Sequence, residues 1–191
     1  MREHLLASGE AVILGKGYAA AGLAEILAQA GVPKGSFYHY FRSKEGFAVE
    51  MLQRYFSDYD QRLCLILNSD QGSARSRLLS YFQVWHDRHC AESGYPGCLA
   101  VKLSGEVCDL SEPMREALVD GMNGVVKRLA EAIKNAQQDG SLAAHIVADD
   151  CAQTLYALWI GSSLLKKVQH SSRVLQLALA QTEAMLPSPT L

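Results

Sequence analysis

Apolar residues recur along this chain at intervals of three and four, and no stretch alternates strictly between apolar and polar. That pattern predicts helices throughout and no strand. A first helix is expected over residues 2–14, with Leu5, Leu6, Val12 and Ile13 on its buried face and Gly15 and Gly17 ending it. A short second helix covers 23–30, where Leu23, Ile26, Leu27 and Ala30 share one face, and Gly31 stops it. Pro33 opens a third short helix lasting to Tyr40, because proline's fixed φ suits the first helical position. Ser43 then caps a long fourth helix to about residue 67, with Phe47, Met51, Leu52, Tyr55, Tyr59, Leu63 and Ile66 as its apolar positions.

Beyond Gln71-Gly72, helices are expected over 73–91, 98–108, 112–138, 147–169 and 172–185. The breaks between them are the polar, glycine- and proline-bearing stretches 93–97, 111–113, 139–141 and 170–172. The tail Pro187-Ser188-Pro189 is expected to fray. The fold class is therefore all-α: a small three-helix domain over residues 1–46 and a larger helical domain over 47–191.

With 191 residues and 49% apolar content, the chain can bury a sizeable core. Its net charge of −2 means that any affinity for nucleic acid must come from a local patch. No apolar run reaches the ~18 residues that cross a bilayer, so no membrane partner is expected. The opening MREHLLASGE lacks the continuous apolar core of a secretory signal, and a cytoplasmic location is expected. The five cysteines, Cys64, Cys90, Cys98, Cys108 and Cys151, are then expected to be mostly reduced. Their odd number and the absence of a CxxC pair argue against a disulfide framework or a structural zinc.

Two short helices joined by a tight glycine turn, here Ala30-Gly31-Val32, are what a helix-turn-helix requires. In the second of them Phe37 and Phe41 lie four apart and point inward, while Lys34, Ser36 and His39 fall on or near the outer face. From Pro33 to Lys44 there are three basic residues, Lys34, Arg42 and Lys44, and no acid, which makes a basic patch on a weakly acidic protein. Lys44, and the exposed amides at helix starts, suit phosphate oxygens, and Tyr38 and Tyr40 can donate hydroxyls to them. Lys34 has the chemistry to read a guanine edge, and Ser36 and His39 can contact bases, with Gly35 allowing close approach to the groove floor. Spacing alone leaves a second reading open, a glycine-broken helical hairpin that happens to carry lysines.

The segment GYAAAGLAEILAQAGVPKGSFYHYFRSKEGF, residues 17–47, resembles the DNA-binding signature of the TetR family of repressors. The matching positions are Leu23-Ala24, Ile26, Ala30-Gly31-Val32, Lys34-Gly35, Tyr38, Phe41 and Lys44-Glu45. The chain departs from the family at Ala21-Gly22, where Thr-Ser is usual, and at Tyr40, where histidine is usual. The first change removes a capping hydroxyl, and Gly22 can still expose backbone amides to phosphate. The resemblance implies a DNA-binding repressor of near-palindromic double-stranded operators, working as a homodimer. Helices 147–169 and 172–185 would form a four-helix bundle with their partners through Leu155, Leu158, Trp159, Ser162, Leu165, Leu175 and Leu179. The competing reading of those positions is core within one chain.

The stretches GSFYHYFRSKE, GCLAVKLSGEVCDLSE and LYALWIGSSLLKK resemble a branch of the family that answers reactive electrophiles and oxidants through cysteine. Cys98 follows Pro96-Gly97 and so should start a helix, whose positive end favours thiolate. Lys102, four residues on, can face the same side. The resemblance further implies that Lys167 approaches Cys98, to stabilise a thiolate or trap an oxidised sulfur. Cys108 lies ~15 Å along the same helix and cannot bond to Cys98 within it, which makes Cys90 the better candidate for any disulfide. The plain alternative for a lone cysteine is a small buried hydrophobe.

The spacing of His86, His89 and Cys90 is compatible with a metal, but no fourth ligand is evident, and neither a metal nor another cofactor is expected. A noncovalent effector is the alternative to thiol modification. It would be a small organic ligand such as an unsaturated carboxylic acid, in an apolar pocket lined by Trp85, Tyr95, Tyr156 and Trp159. A thiol-dependent enzyme using Cys98 is the reading from another class. No Ser-His-Asp pattern, phosphate loop or metal motif supports it, and the chain is expected not to be an enzyme.

Overall fold

The computed structural model describes residues 1–91 and 97–189. Tyr95, Pro96 and most of the expected break at 93–97 lie outside the described residues. Nine helices and no strand occur among the described residues: α1 Arg2–Lys16, α2 Leu23–Ala30, α3 Lys34–Tyr40, α4 Lys44–Leu67, α5 Ala74–Cys90, α6 Leu99–Val107, α7 Glu112–Gln138, α8 Ala148–Gln169 and α9 Arg173–Met185. The expected helix ends agree to within two residues. The α1 helix runs on through Gly15 and ends only where Gly17, at φ 94°, returns its N–H to Ile13. Pro33 is the N-cap of α3 in an extended conformation, and its carbonyl accepts the Ser36 N–H, so helical geometry begins one residue later than the proline rule suggests.

Packing divides the chain into two units. One combines Met1–Asp58 with α6 and the start of α7 as far as Met122, and the other takes the rest of α4, α5, the rest of α7, α8 and α9. The core of the first unit is built on Leu5, Leu6, Ile13, Ile26, Met51 and Leu52, all essentially inaccessible. Three phenylalanines fill its centre. Phe37 from α3 meets Phe41 and Phe47 at centroid distances of 5.2 and 5.4 Å, and Phe41 meets Phe47 edge-on at 4.9 Å, a geometry favoured by the ring quadrupoles. Arg54 of α4 secures α1 by pairing with Glu3 and, at 2.7 Å, with Glu10. The α6 helix joins this core through Leu99, Ala100, Leu103 and Val107. Buried Ser111 caps α7, accepting the Met114 N–H, and its hydroxyl donates to Glu45 at 2.7 Å.

The second unit is organised around aromatic residues. Trp159 of α8 is fully buried and stacks on Phe82 of α5 at 5.3 Å, while its indole N–H donates to Thr182 of α9 at 2.9 Å. Trp85 donates to Ser163 at 3.1 Å. The turn between α8 and α9 is closed by His170 in the left-handed conformation. Asp139, just past α7, accepts the Ala74 N–H and so satisfies one of the orphan donors at the start of α5. The C-terminal tail is anchored further than its composition suggests. Leu186 is fully buried, and the Pro187 carbonyl accepts the Ala143 N–H at 3.2 Å.

Candidate nucleic-acid interface and thiol site

The turn between α2 and α3 is made by Gly31 at φ 63°, a left-handed position that costs a residue with a β-carbon about 1–2 kcal/mol. Its N–H reaches back to Ala28, and the next N–H, of Val32, reaches Leu27. Val32 is buried and pins the turn to the core. Because Phe37 and Phe41 take the inner side of α3, its other positions are turned outward. Lys34, Gly35, Tyr38, His39 and Tyr40 are exposed, and Ser36 is half-buried. Tyr38 is 52% exposed, large for an aromatic side chain, and the Lys34 ammonium stands 5.9 Å from its ring centroid. Gly22 is exposed and extended at the N-cap of α2 with no side-chain cap, so the first N–H groups of α2 are not taken by a local hydroxyl.

Lys44 is half-buried at the start of α4. Its ammonium donates to the Tyr18 carbonyl at 2.7 Å and lies over the Tyr18 ring at 4.3 Å. Burial lowers its pKa below the usual lysine value, and the carboxylate of Glu106 pulls in the opposite direction. An ammonium carries three donors, so this engagement leaves capacity for a phosphate oxygen.

Cys98 is the N-cap residue of α6 and is buried, its sulfur 3.4 Å from the Tyr55 hydroxyl. Lys102 follows one turn later and bonds through its backbone N–H to the Cys98 carbonyl, while its ammonium donates to the Gly15 carbonyl at the end of α1. Glu106, one turn further, accepts the backbone N–H groups of Tyr18 at 3.0 Å and of Ala19. Cys98, Lys102 and Glu106 thus lie four residues apart along α6, and all three belong to the unit that holds the helix-turn-helix. Lys167 is exposed in the last turn of α8, in the other unit. Neither Tyr55 nor Glu106 stands out in the sequence. Tyr55 lies within an apolar stripe, and Glu106 looks like an ordinary solvated acid.

The histidine pattern of α5 resolves into two different environments. His89 is buried, stacked on Trp85, with Nδ1 2.9 Å from the Trp85 carbonyl; His86 pairs with Asp87 and approaches Cys90 through Nε2 at 3.6 Å. No group of three ligating side chains is assembled among the described residues. Trp85, Tyr156 and Trp159 are all buried within the aromatic core of their unit, and Tyr95 lies outside the described residues. Of the apolar positions on the last two helices, Leu155, Trp159 and Leu175 are buried within the chain, whereas Leu164, Leu165, Val168 and Leu177 are exposed. Among the described residues no helix is long and apolar enough to cross a membrane.

Residues 5–51 match the family described as bacterial regulatory proteins, tetR family, and residues 74–182 match the tetracyclin repressor-like C-terminal domain. The chain is 46% identical over 188 residues to the HTH-type transcriptional repressor NemR of Escherichia coli (strain K12), covering 98% of this chain and 94% of that protein. It is 33% identical over 189 residues to the HTH-type transcriptional repressor DhaR of Mycobacterium sp. (strain GP1), covering 98% and 93%. The crystal structure of the reduced form of E. coli NemR superimposes with a TM-score of 0.95 at 45% identity, over 100% of this chain and 98% of that one.

Proposed function

The chain belongs to the TetR family of DNA-binding transcriptional repressors, and from that premise we propose that it leaves its operator when a reactive electrophile or oxidant modifies Cys98. The observation that carries the reading is the position of Cys98. It starts α6 and is buried against Tyr55 within the same packed unit as α2 and α3. A buried site that gains atoms must rearrange, because packed interiors have little free volume. In alkylation by an activated alkene, the sulfur bonds to the β-carbon, the π bond opens and the thiol proton ends on the α-carbon. In oxidation by a peroxide, the sulfur becomes a sulfenic acid and the O–O bond is reduced, with water released. Lys102, in the first turn of α6, would move with the thiol. The 46%-identical relative, crystallised in a reduced form, is a protein for which a redox state is worth specifying.

The operator would be met by Lys34, Gly35, Ser36, Tyr38 and His39 in the major groove, with Gly22, Tyr40 and Lys44 on phosphates. Residues 1–46 would act as the DNA-binding head, with Cys98 sensing from α6 in the same packed unit, and α8 and α9 of the other unit would carry dimerisation. Two copies would join through the exposed apolar residues Leu164, Leu165 and Val168 of α8 and Leu177 of α9, placing two α3 helices on successive grooves about 34 Å apart. The test uses duplexes selected by the wild-type protein from a randomised pool. N-ethylmaleimide or hydrogen peroxide should release the wild-type protein and leave Cys98→Ser bound. Normal release of Cys98→Ser by both reagents would remove Cys98 from the mechanism.

A further inference from the structure

We propose that Glu106 is a positioning residue for operator binding. From α6, its carboxylate holds the α1–α2 link, and with it the start of α2 and the ammonium of Lys44, in the arrangement that meets the phosphate backbone. The inference rests on the DNA-reading assignment of α2 and α3 and extends it to a helix that contributes none of the assigned DNA contacts.

The link between α1 and α2 is only six residues, 17–22, and its course is fixed from both sides. The peptide joining Tyr18 to Ala19 has its N–H on Glu106 and its C=O on Lys44, at 2.7 Å for the latter. One peptide plane is therefore gripped between a carboxylate and an ammonium. The Tyr18 N–H gives Glu106 a second bond, at 3.0 Å. Such charge-assisted bonds are about twice as strong as neutral ones. Two residues further on Ala21 is fully buried, and Gly22 then opens α2. The Lys102 ammonium holds the Gly15 carbonyl at the end of α1, one turn earlier on the same helix. The acid and the base of α6 thus take an N–H pair and a C=O that α1 and its link leave without helical partners.

Lys44 has two roles in this arrangement. It is assigned to phosphate, and its position is set by the Tyr18 carbonyl and ring, which Glu106 holds from the other side. Without Glu106 the link and Lys44 lose their common reference point, while every DNA-contacting side chain remains in place chemically.

The experiment is a double-mutant cycle between Glu106 and Lys44, read as affinity for duplexes selected by the wild-type protein, together with hydrogen exchange at the Tyr18 and Ala19 amides without DNA. Glu106→Ala should lose about tenfold in affinity, and the size-conserving Glu106→Gln less. Both amides should exchange faster in Glu106→Ala. Lys44→Ala should cost clearly less in the Glu106→Ala background than in the wild type, a coupling that general destabilisation does not produce. Wild-type affinity of Glu106→Ala, or strictly additive losses, would overturn the proposal while leaving the DNA-reading assignment intact. Failure of the wild-type protein to select any duplex would instead overturn that assignment and the proposal with it.

Discussion

Gly17 and Glu106 are fitted to each other. Gly17 sits at φ 94°, and a β-carbon placed on it would stand 2.7 Å from Oε2 of Glu106, the oxygen that accepts the Tyr18 N–H. Gly17→Ala therefore meets two costs, a left-handed backbone and a displaced carboxylate. It is expected to destabilise the protein by about 1–2 kcal/mol. Thermal unfolding should show a fall of roughly 2–8 °C. In a Glu106→Ala background the same substitution should cost less, because only the backbone term remains.

Lys34→Ala should leave stability within about 0.5 kcal/mol, since the side chain is exposed. If Lys34 reads a guanine edge, the variant loses about 1–3 kcal/mol of discrimination at one position in each half-site. Selection from randomised duplexes would show this as relaxed preference at that position. A uniform loss across all sequences would reassign Lys34 to phosphate.

His89 predicts a pH dependence of stability. Burial lowers its pKa below the usual 6.5; the Trp85 carbonyl opposes this, and the charges of Lys166 and His86 reinforce it. The folded state therefore favours neutral His89, whereas the unfolded chain takes up a proton near pH 6.5. Its contribution is fully present above that pH, declines as the pH falls below it, and levels off below the folded-state pKa. Urea midpoints measured from pH 8 to pH 5 should fall on acidification, and they should fall less in His89→Gln.

The indole N–H of Trp159 depends on Thr182, whose hydroxyl in turn donates to the Ala178 carbonyl at 2.7 Å; both side chains are fully buried. Thr182→Val keeps the shape and leaves the indole donor without its acceptor, a cost of about 1–3 kcal/mol. Calorimetry should show a drop in melting temperature of about 2–4 °C per kcal/mol. Thr182→Ser, which retains the hydroxyl, should lose less.

The helices are legible in the sequence because their ends are set locally. Gly31 stops α2 in the left-handed conformation, and Ser43 accepts the Gly46 N–H at the start of α4. The inward placement of Phe37 and Phe41 follows from their spacing of four. Periodicity cannot say which chain covers a face. Of the positions open to either reading, partner-facing or core, Leu155, Trp159, Ser162 and Leu175 are buried in their own subunit, Leu158 and Leu179 are half-buried, and Leu165 is exposed, as are Leu164, Val168 and Leu177. Glu106 is illegible for another reason. Its partners are backbone amides 87 and 88 residues away, and a backbone amide carries no residue-type signal.

The grouping of α6 and the first turns of α7 with the N-terminal helices also bears on biosynthesis. When the ribosome has completed α3, residues 99–122, which finish the same packed unit, have yet to be polymerised. At about 5–20 residues per second, the nascent head waits several seconds for Leu99, Leu103 and Val107 to emerge. In that interval α5 is already made, but its own unit needs the rest of α7, α8 and α9 and closes later still, so both units hold early helices that wait for later ones.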